Sequence, residues 1–111
     1  MNIKIKKKAS LEFEPEIAFK IKPKIKVERN IDGKNGFAIL TFDINESIEN
    51  DQLSKIKMIR MKDSEGELIS NEIKINNNED NTISLNIKYR WFSRLEFERF
   101  LRFAKSYLSN N

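Results

Sequence analysis

FSRLEFERFLRFAKSYL, residues 92–108, is the most strongly periodic stretch of this chain. At about 100° per residue, Phe97, Phe100, Leu101, Phe103, Ala104, Tyr107 and Leu108 fall within an arc of about 160°. Arg94, Glu98, Arg99, Arg102 and Lys105 take the opposite arc, with Leu95 outside the apolar stripe. The spacing predicts an amphipathic helix. Ser93 followed by Glu96 spells a capping box, in which Glu96 reaches back to the Ser93 N–H, and Phe92 and Phe97 have the spacing of a hydrophobic staple. Glu98 and Arg102 are placed for a favourable i,i+4 ion pair. Phe97, Phe100, Phe103 and Tyr107 crowd one face of this helix, and an apolar surface must cover them.

The residues upstream supply that surface. In Thr82 to Arg90, Ile83, Leu85, Ile87 and Tyr89 alternate with Ser84, Asn86, Lys88 and Arg90, a strand with one buried face. Asn76 to Asn81 is a polar loop. Glu67 to Ile75 reads as one strand, with Ile69, Ile73 and Ile75 taken as in phase. Ser64-Glu65-Gly66 is a turn. Lys55 to Asp63 is a strand whose phase slips between Ile56 and Ile59, which predicts a bulge. Asn45 to Ser54 is a polar loop or a single helical turn. FAILTFDI, residues 37–44, is apolar on both faces, as in a strand central to its sheet.

Before it, Asp32-Gly33 and Asn35-Gly36 mark a hairpin loop. Lys24 to Arg29 is a strand bounded by Pro23. Leu11, Phe13, Ile17 and Phe19 alternate with Glu12, Glu14 and Glu16, interrupted by Pro15, as at an edge or a break. Residues 1–10 form a basic lead-in, expected to be flexible, before a single domain over 11–111. Strands joined by short turns and followed by one helix predict the α+β class. The expected form is a single antiparallel sheet of five or six strands with the C-terminal helix packed on one face.

The chain has 111 residues and neither Cys nor His. Disulfides, thiolate nucleophiles, His-based proton transfer and zinc-finger sites are therefore excluded. Gly33, Gly36 and Gly66 spell neither a P-loop nor a dinucleotide fingerprint. The sequence predicts a non-enzyme without cofactor or metal. It contains no apolar run long enough for a transmembrane helix and no apolar core of a secretory signal.

The formal net charge of +4 is uneven: residues 1–30 carry nine basic and four acidic residues, a net +5, and residues 31–111 a net −1. Lys4, Lys6, Lys7 and Lys8 make a basic tail suited to an anionic membrane surface. Arg94, Arg99, Arg102 and Lys105 offer a docking face for an acidic partner. If Lys55 to Asp63 or Glu67 to Ile75 lies at a sheet edge, it can accept an extended partner segment by strand addition, with Lys57, Arg60 and Lys62 selecting an acidic or polar peptide.

NGFAILTF, residues 35–42, resembles the first RNA-binding motif of RRM domains at Gly36, Phe37, Ala38 and Phe42. Asn35 replaces the basic residue, and Ile39 stands where a ring would stack a base. The better reading is a central strand after a glycine turn; a small single-stranded RNA-binding protein is the alternative function. Trp91-Phe92 reads as core packing at the strand–helix corner, with a stacking platform as the alternative.

Glu98-Arg99-Phe100-Leu101-Arg102-Phe103-Ala104-Lys105-Ser106-Tyr107 resembles the Asp-Arg-Phe-Met-Arg-Phe-Met-x-Arg-Tyr signature of the Psb-twenty-eight family, the thirteen-kilodalton photosystem II proteins. Asp63-Ser64-Glu65-Gly66-Glu67 resembles that family's Asp-Glu-Glu-Gly-Glu turn. Pro23, Arg29, Asp32, Gly33, Gly36, Ala38 and Phe42 fit its strand pair, and Phe13 its early Phe. The likeness covers roughly Leu11 to Leu108. The chain departs from the pattern at Pro15-Glu16, at Phe97 in place of a Trp, and in the basic residues 1–9. The resemblance implies a non-catalytic factor that binds transiently to the stromal or cytoplasmic face of immature photosystem II during biogenesis. Its partners would be the inner antenna chlorophyll protein and the reaction-centre subunits. It would lie peripherally on a plastid or cyanobacterial thylakoid membrane, without cofactors or nucleic acid.

Overall fold

The structure is a computed structural model that describes residues 8–17, 22–44, 50–80 and 82–109, with the side chains of Asn50 and Asp51 excluded. Among the described residues, seven strands and two helices follow in the order β1 (Ser10–Glu14), β2 (Lys24–Arg29), β3 (Gly36–Ile44), α1 (Asn50–Ser54), β4 (Met58–Asp63), β5 (Gly66–Ser70), β6 (Glu72–Asn77), β7 (Ile83–Trp91) and α2 (Arg94–Ser109). The fold is α+β, and its strands form two antiparallel sheets in place of the expected one. The small sheet has the order β1-β4-β5 and the large sheet β2-β3-β7-β6. The expected position of Phe19 lies outside the described residues.

The division falls at Asn71, inside what reads as a single strand. In β5, Leu68 and Ser70 face inward; in β6, Ile73 and Ile75 do so. The inward phase changes parity, so Ile69 is exposed and not in register with Ile73 and Ile75. Ser70 holds the crossing in place. Its hydroxyl donates to the Lys88 carbonyl on β7 and accepts from the Glu72 N–H at 3.3 Å. A polar side chain thus satisfies backbone groups where one ladder stops and the other starts.

The phase slip near Ile56 has a different cause from the predicted bulge. Leu53 in α1 accepts from the Ile56 N–H at 3.1 Å, so Ile56 closes a helical turn, and β4 starts only at Met58. The slip is a change from helical to extended backbone. β3 is central, as its two apolar faces imply, between β2 and β7. Pro15 and Pro23 each sit beside an edge strand, where a missing N–H costs no ladder bond.

One core cluster draws on both sheets and on α2. β3 contributes Ala38, Leu40, Phe42 and Ile44; β7 contributes Leu85, Ile87 and Trp91; the small sheet contributes Phe13, Ile59 and Met61. Phe100 stacks against both Trp91 and Tyr89, with ring centroids 5.5 and 5.4 Å away. The predicted capping box forms, shifted by one residue. Ser93 Oγ accepts from the Glu96 N–H at 3.2 Å, and Glu96 accepts from the Phe92 N–H, not from that of Ser93. The staple is made by Trp91 in place of Phe92: the buried indole lies 4.9 Å from the Phe97 ring, while Phe92 is exposed.

Candidate functional site

Two of the four basic residues on the α2 arc, Arg99 and Arg102, are turned to the protein itself. Arg99 donates two hydrogen bonds to Asp63, from Nη1 at 2.7 Å and from Nη2 at 2.8 Å. Their side chains are 17% and 5% exposed. One step further along the helix, Arg102 donates to both oxygens of Glu65, at 2.8 and 3.0 Å. Asp63 also accepts from the Glu65 N–H at 2.9 Å, which rigidifies the turn the helix grips. Hydrogen bonding from Arg102 lowers the pKa of the Glu65 carboxyl, and the Glu65 carboxylate raises that of Arg102. Glu98 accepts from Arg94 at 3.2 Å, while the expected partner Arg102 turns to Glu65. Lys105 is exposed. The helix signature and the Asp63–Glu67 turn, far apart in sequence, thus form one clamp.

The basic residues of β4 lie in a central strand, so β4 cannot accept a further strand. Arg60 bridges its two neighbours, bonding Glu14 at 2.8 Å and Glu67 at 2.9 Å. Lys62 pairs with Glu12 at 2.8 Å. These opposite charges on adjacent strands stabilise the small sheet modestly at exposed positions. Lys57 is exposed, and its N–H donates to the Glu14 carbonyl at 2.7 Å. Lys8 is exposed beside a shallow depression lined by Ser10, Lys62 and Glu67. Lys4, Lys6 and Lys7 lie outside the described residues.

The face of the large sheet opposite the core carries Phe37 and Ile39. Lys88 Nζ sits 4.6 Å above the Phe37 ring, a cation–π contact that occupies the surface a base would stack on. Ile39 offers no ring. Beside it lies an open depression lined by Ile39, Glu72, Lys74, Asn76, Asn86 and Lys88, along the outermost strand β6. Trp91 is core, as the packing reading holds, whereas Phe92 is exposed and does not join it.

Two features escape a reading of the sequence. Gly36 reads as a turn glycine, yet only Gly33 and Gly66 adopt positive φ. At Gly36 a Cβ would meet the Glu28 carbonyl oxygen at 2.5 Å and the Trp91 indole nitrogen at 2.8 Å. Its need is for close approach, and its register opposite Trp91 is the only signal of that. The second is the β6 edge, hidden because residues 67–75 look like one strand. Among the described residues, no group of acidic side chains is placed to hold a metal, and no helix is long and apolar enough to cross a membrane.

A family profile described as the Psb28 protein matches residues 11–111. Among curated relatives, the "Photosystem II reaction center Psb28 protein" of Prochlorococcus marinus strain MIT 9312 is 32% identical over 105 residues, which cover 95% of this chain and 90% of that protein. The protein of the same name from strain NATL2A is 33% identical over 107 residues, covering 96% and 95%. That of strain MIT 9515 is 35% identical over 89 residues, covering 80% and 76%. The matched span runs from the first strand through both halves of the clamp to the C-terminal helix, and the chain belongs to the Psb28 family.

Proposed function

We propose that this protein is a non-catalytic photosystem II assembly factor. It binds transiently to the stromal or cytoplasmic face of immature photosystem II, near the inner antenna chlorophyll protein and the reaction-centre subunits. It lies peripherally on the thylakoid membrane of a plastid or a cyanobacterium. Family membership and the name of the curated relatives support the photosystem II role.

The observation that carries the binding mode is the split at Asn71. It turns one apparent strand into two, and each is the last strand of its sheet. Unpaired N–H and C=O groups on an outermost strand are a template for an added strand. Of the four edges, β1 and β2 adjoin Pro15 and Pro23, and charged side chains crowd β2. β5, GELIS, and β6, EIKINN, both lack proline, and β6 is the longer of the two. An extended segment of a photosystem II subunit added there would lie beside the depression holding Lys74 and Lys88, which favour an acidic or polar sequence. Arg60, Lys62, Arg99 and Arg102 are engaged in internal ion pairs and hold the shape of the domain; Lys57 and Lys105 are exposed at its surface.

A pull-down from solubilised thylakoids, followed by amide exchange on the captured complex, tests this reading. The expected result is capture of antenna and reaction-centre subunits, with new protection at residues 72–77. Protection confined to α2 would overturn strand addition at β6. Salt-sensitive binding to single-stranded RNA, with no photosystem subunit captured, would favour the RNA-binding alternative.

A further inference from the structure

The three most exposed large hydrophobic side chains among the described residues gather at one end of the molecule. Arg29 pairs with Gly36 and Gly36 with Trp91. The β2–β3 turn and the β7–α2 corner therefore leave the same end of the large sheet. Arg29 lies 4.7 Å from the Phe97 ring centroid and ties the turn to the first turns of α2. From this pole project Ile31, 108% exposed, Leu95, 77% exposed, and Phe92, 70% exposed.

The backbone around them makes many of its hydrogen bonds internally. In the turn, Gly33 N–H donates to Asn30 O and Asn30 N–H to Asn35 O, both at 2.9 Å, and Lys34 N–H donates to Asp32 at 2.9 Å. At the corner, Phe92 and Glu96 donate to the capping side chains, and Phe97 donates to Ser93 O at 3.1 Å. The ionisable side chains balance: Glu28 and Asp32 against Arg29 and Lys34 in the turn, Glu96 against Arg94 at the corner.

We propose that this pole is a membrane-contacting tip, with Ile31, Phe92 and Leu95 entering the interface of a lipid bilayer. The inference deepens the peripheral-membrane part of the proposed function and rests on that reading. Separate exposed side chains need no matching pockets in a fluid interface, whereas a protein partner would have to supply one for each. Backbone donors bonded internally lower the cost of leaving water. Balanced charge makes the contact depend on apolar burial and not on anionic lipid.

The absence of cysteine permits single labelling sites. An environment-sensitive fluorophore is attached to Lys34→Cys in the turn, or to Glu79→Cys beyond the far end of the large sheet, about 26 Å away along eight strand residues. Each labelled protein is mixed separately with phosphatidylcholine vesicles, with vesicles containing anionic lipid and with photosystem II particles, in low salt and in about 0.5 M salt. The expected result is a blue shift at position 34 and none at 79, equal in both salts. The combined variant Ile31→Ser, Phe92→Ser, Leu95→Ser, shown to be folded by its melting curve, is expected to bind the vesicles at least roughly a hundredfold less. No shift at 34, equal shifts at both positions, or a shift that requires anionic lipid and disappears in salt would each overturn the tip. A shift with photosystem II particles but not with vesicles would make the pole a protein contact and overturn it too. The vesicles contain no photosystem subunits, so failure here leaves the pull-down result standing, and the reverse also holds.

Discussion

The Arg99 guanidinium meets both carboxylate oxygens of Asp63, at 2.7 and 2.8 Å, across 36 residues of sequence. This pair holds α2 to the β4–β5 turn, with neither side chain more than 17% exposed. Bidentate, charge-assisted geometry sets the position of the helix as well as adding energy. Arg102 and Glu65 repeat the contact at the surface.

Removing Asp63 leaves the largely buried Arg99 with only a long contact to Glu65, 3.8 Å away. Asp63→Ala also takes away the acceptor of the Glu65 N–H. Urea unfolding is expected to show a loss of about 2–4 kcal/mol. The double variant Asp63→Ala, Arg99→Met is expected to recover part of it, because no charge is then left uncompensated. A loss below about 0.5 kcal/mol would mark the pair as a solvated surface contact.

Phe100 is fully buried and packs against Tyr89 and Trp91. Phe100→Ala is expected to cost about 3–5 kcal/mol through lost burial and the cavity left behind. A thermal melt reads this directly. A midpoint within a couple of degrees of the parent would contradict the packing.

Gly36 and Gly33 are expected to respond to alanine for different reasons. At Gly36 the new methyl meets a backbone carbonyl and the buried indole, so either the strand pair or Trp91 must move, at about 1–3 kcal/mol or more. At Gly33 the φ of 70° is the only obstacle, and the space is open. There the expected cost is about 1 kcal/mol. Equal losses in chemical denaturation would refute the close-approach role of Gly36.

The Glu65 carboxyl is held below its ordinary value of 4.5 by hydrogen bonding from Arg102. A depressed folded pKa adds stability above the unfolded value, and this is lost as pH falls through the folded one. The stability gap between the parent and Glu65→Gln is therefore expected to be full at neutral pH and to narrow progressively as pH falls below the ordinary carboxylate value. Acid titration of both proteins in a fixed amount of urea measures it. A gap that does not narrow at all as pH falls below the ordinary carboxylate value would assign the effect to shape and not to charge.

Much of the architecture was legible in the sequence. The apolar period of 3.6 in residues 92–108 and of 2 in residues 82–90 marks the last helix and strand, and both form with bounds shifted by one or two residues. The chemistry excluded by composition and the family likeness carried by the Glu98–Tyr107 and Asp63–Glu67 motifs are also properties of the residue string. The candidate surfaces were less legible. A helical wheel places Arg99 and Arg102 on a polar arc, but what faces that arc is Asp63 and Glu65, decades of residues upstream.

Phe92 and Trp91 are adjacent aromatics, and only the direction of the chain at the corner buries one and exposes the other. In the same way Ile69, Ile73 and Ile75 look like one face until Ser70 bonds to β7 and the chain changes sheets. Secondary structure, excluded chemistry and family follow from residues near one another in sequence, because side-chain periodicity and motif spacing are local. The order of the strands, the internal pairing of the basic residues, the open edge at β6 and the apolar pole follow from tertiary structure alone, because each depends on which distant segments meet across the core.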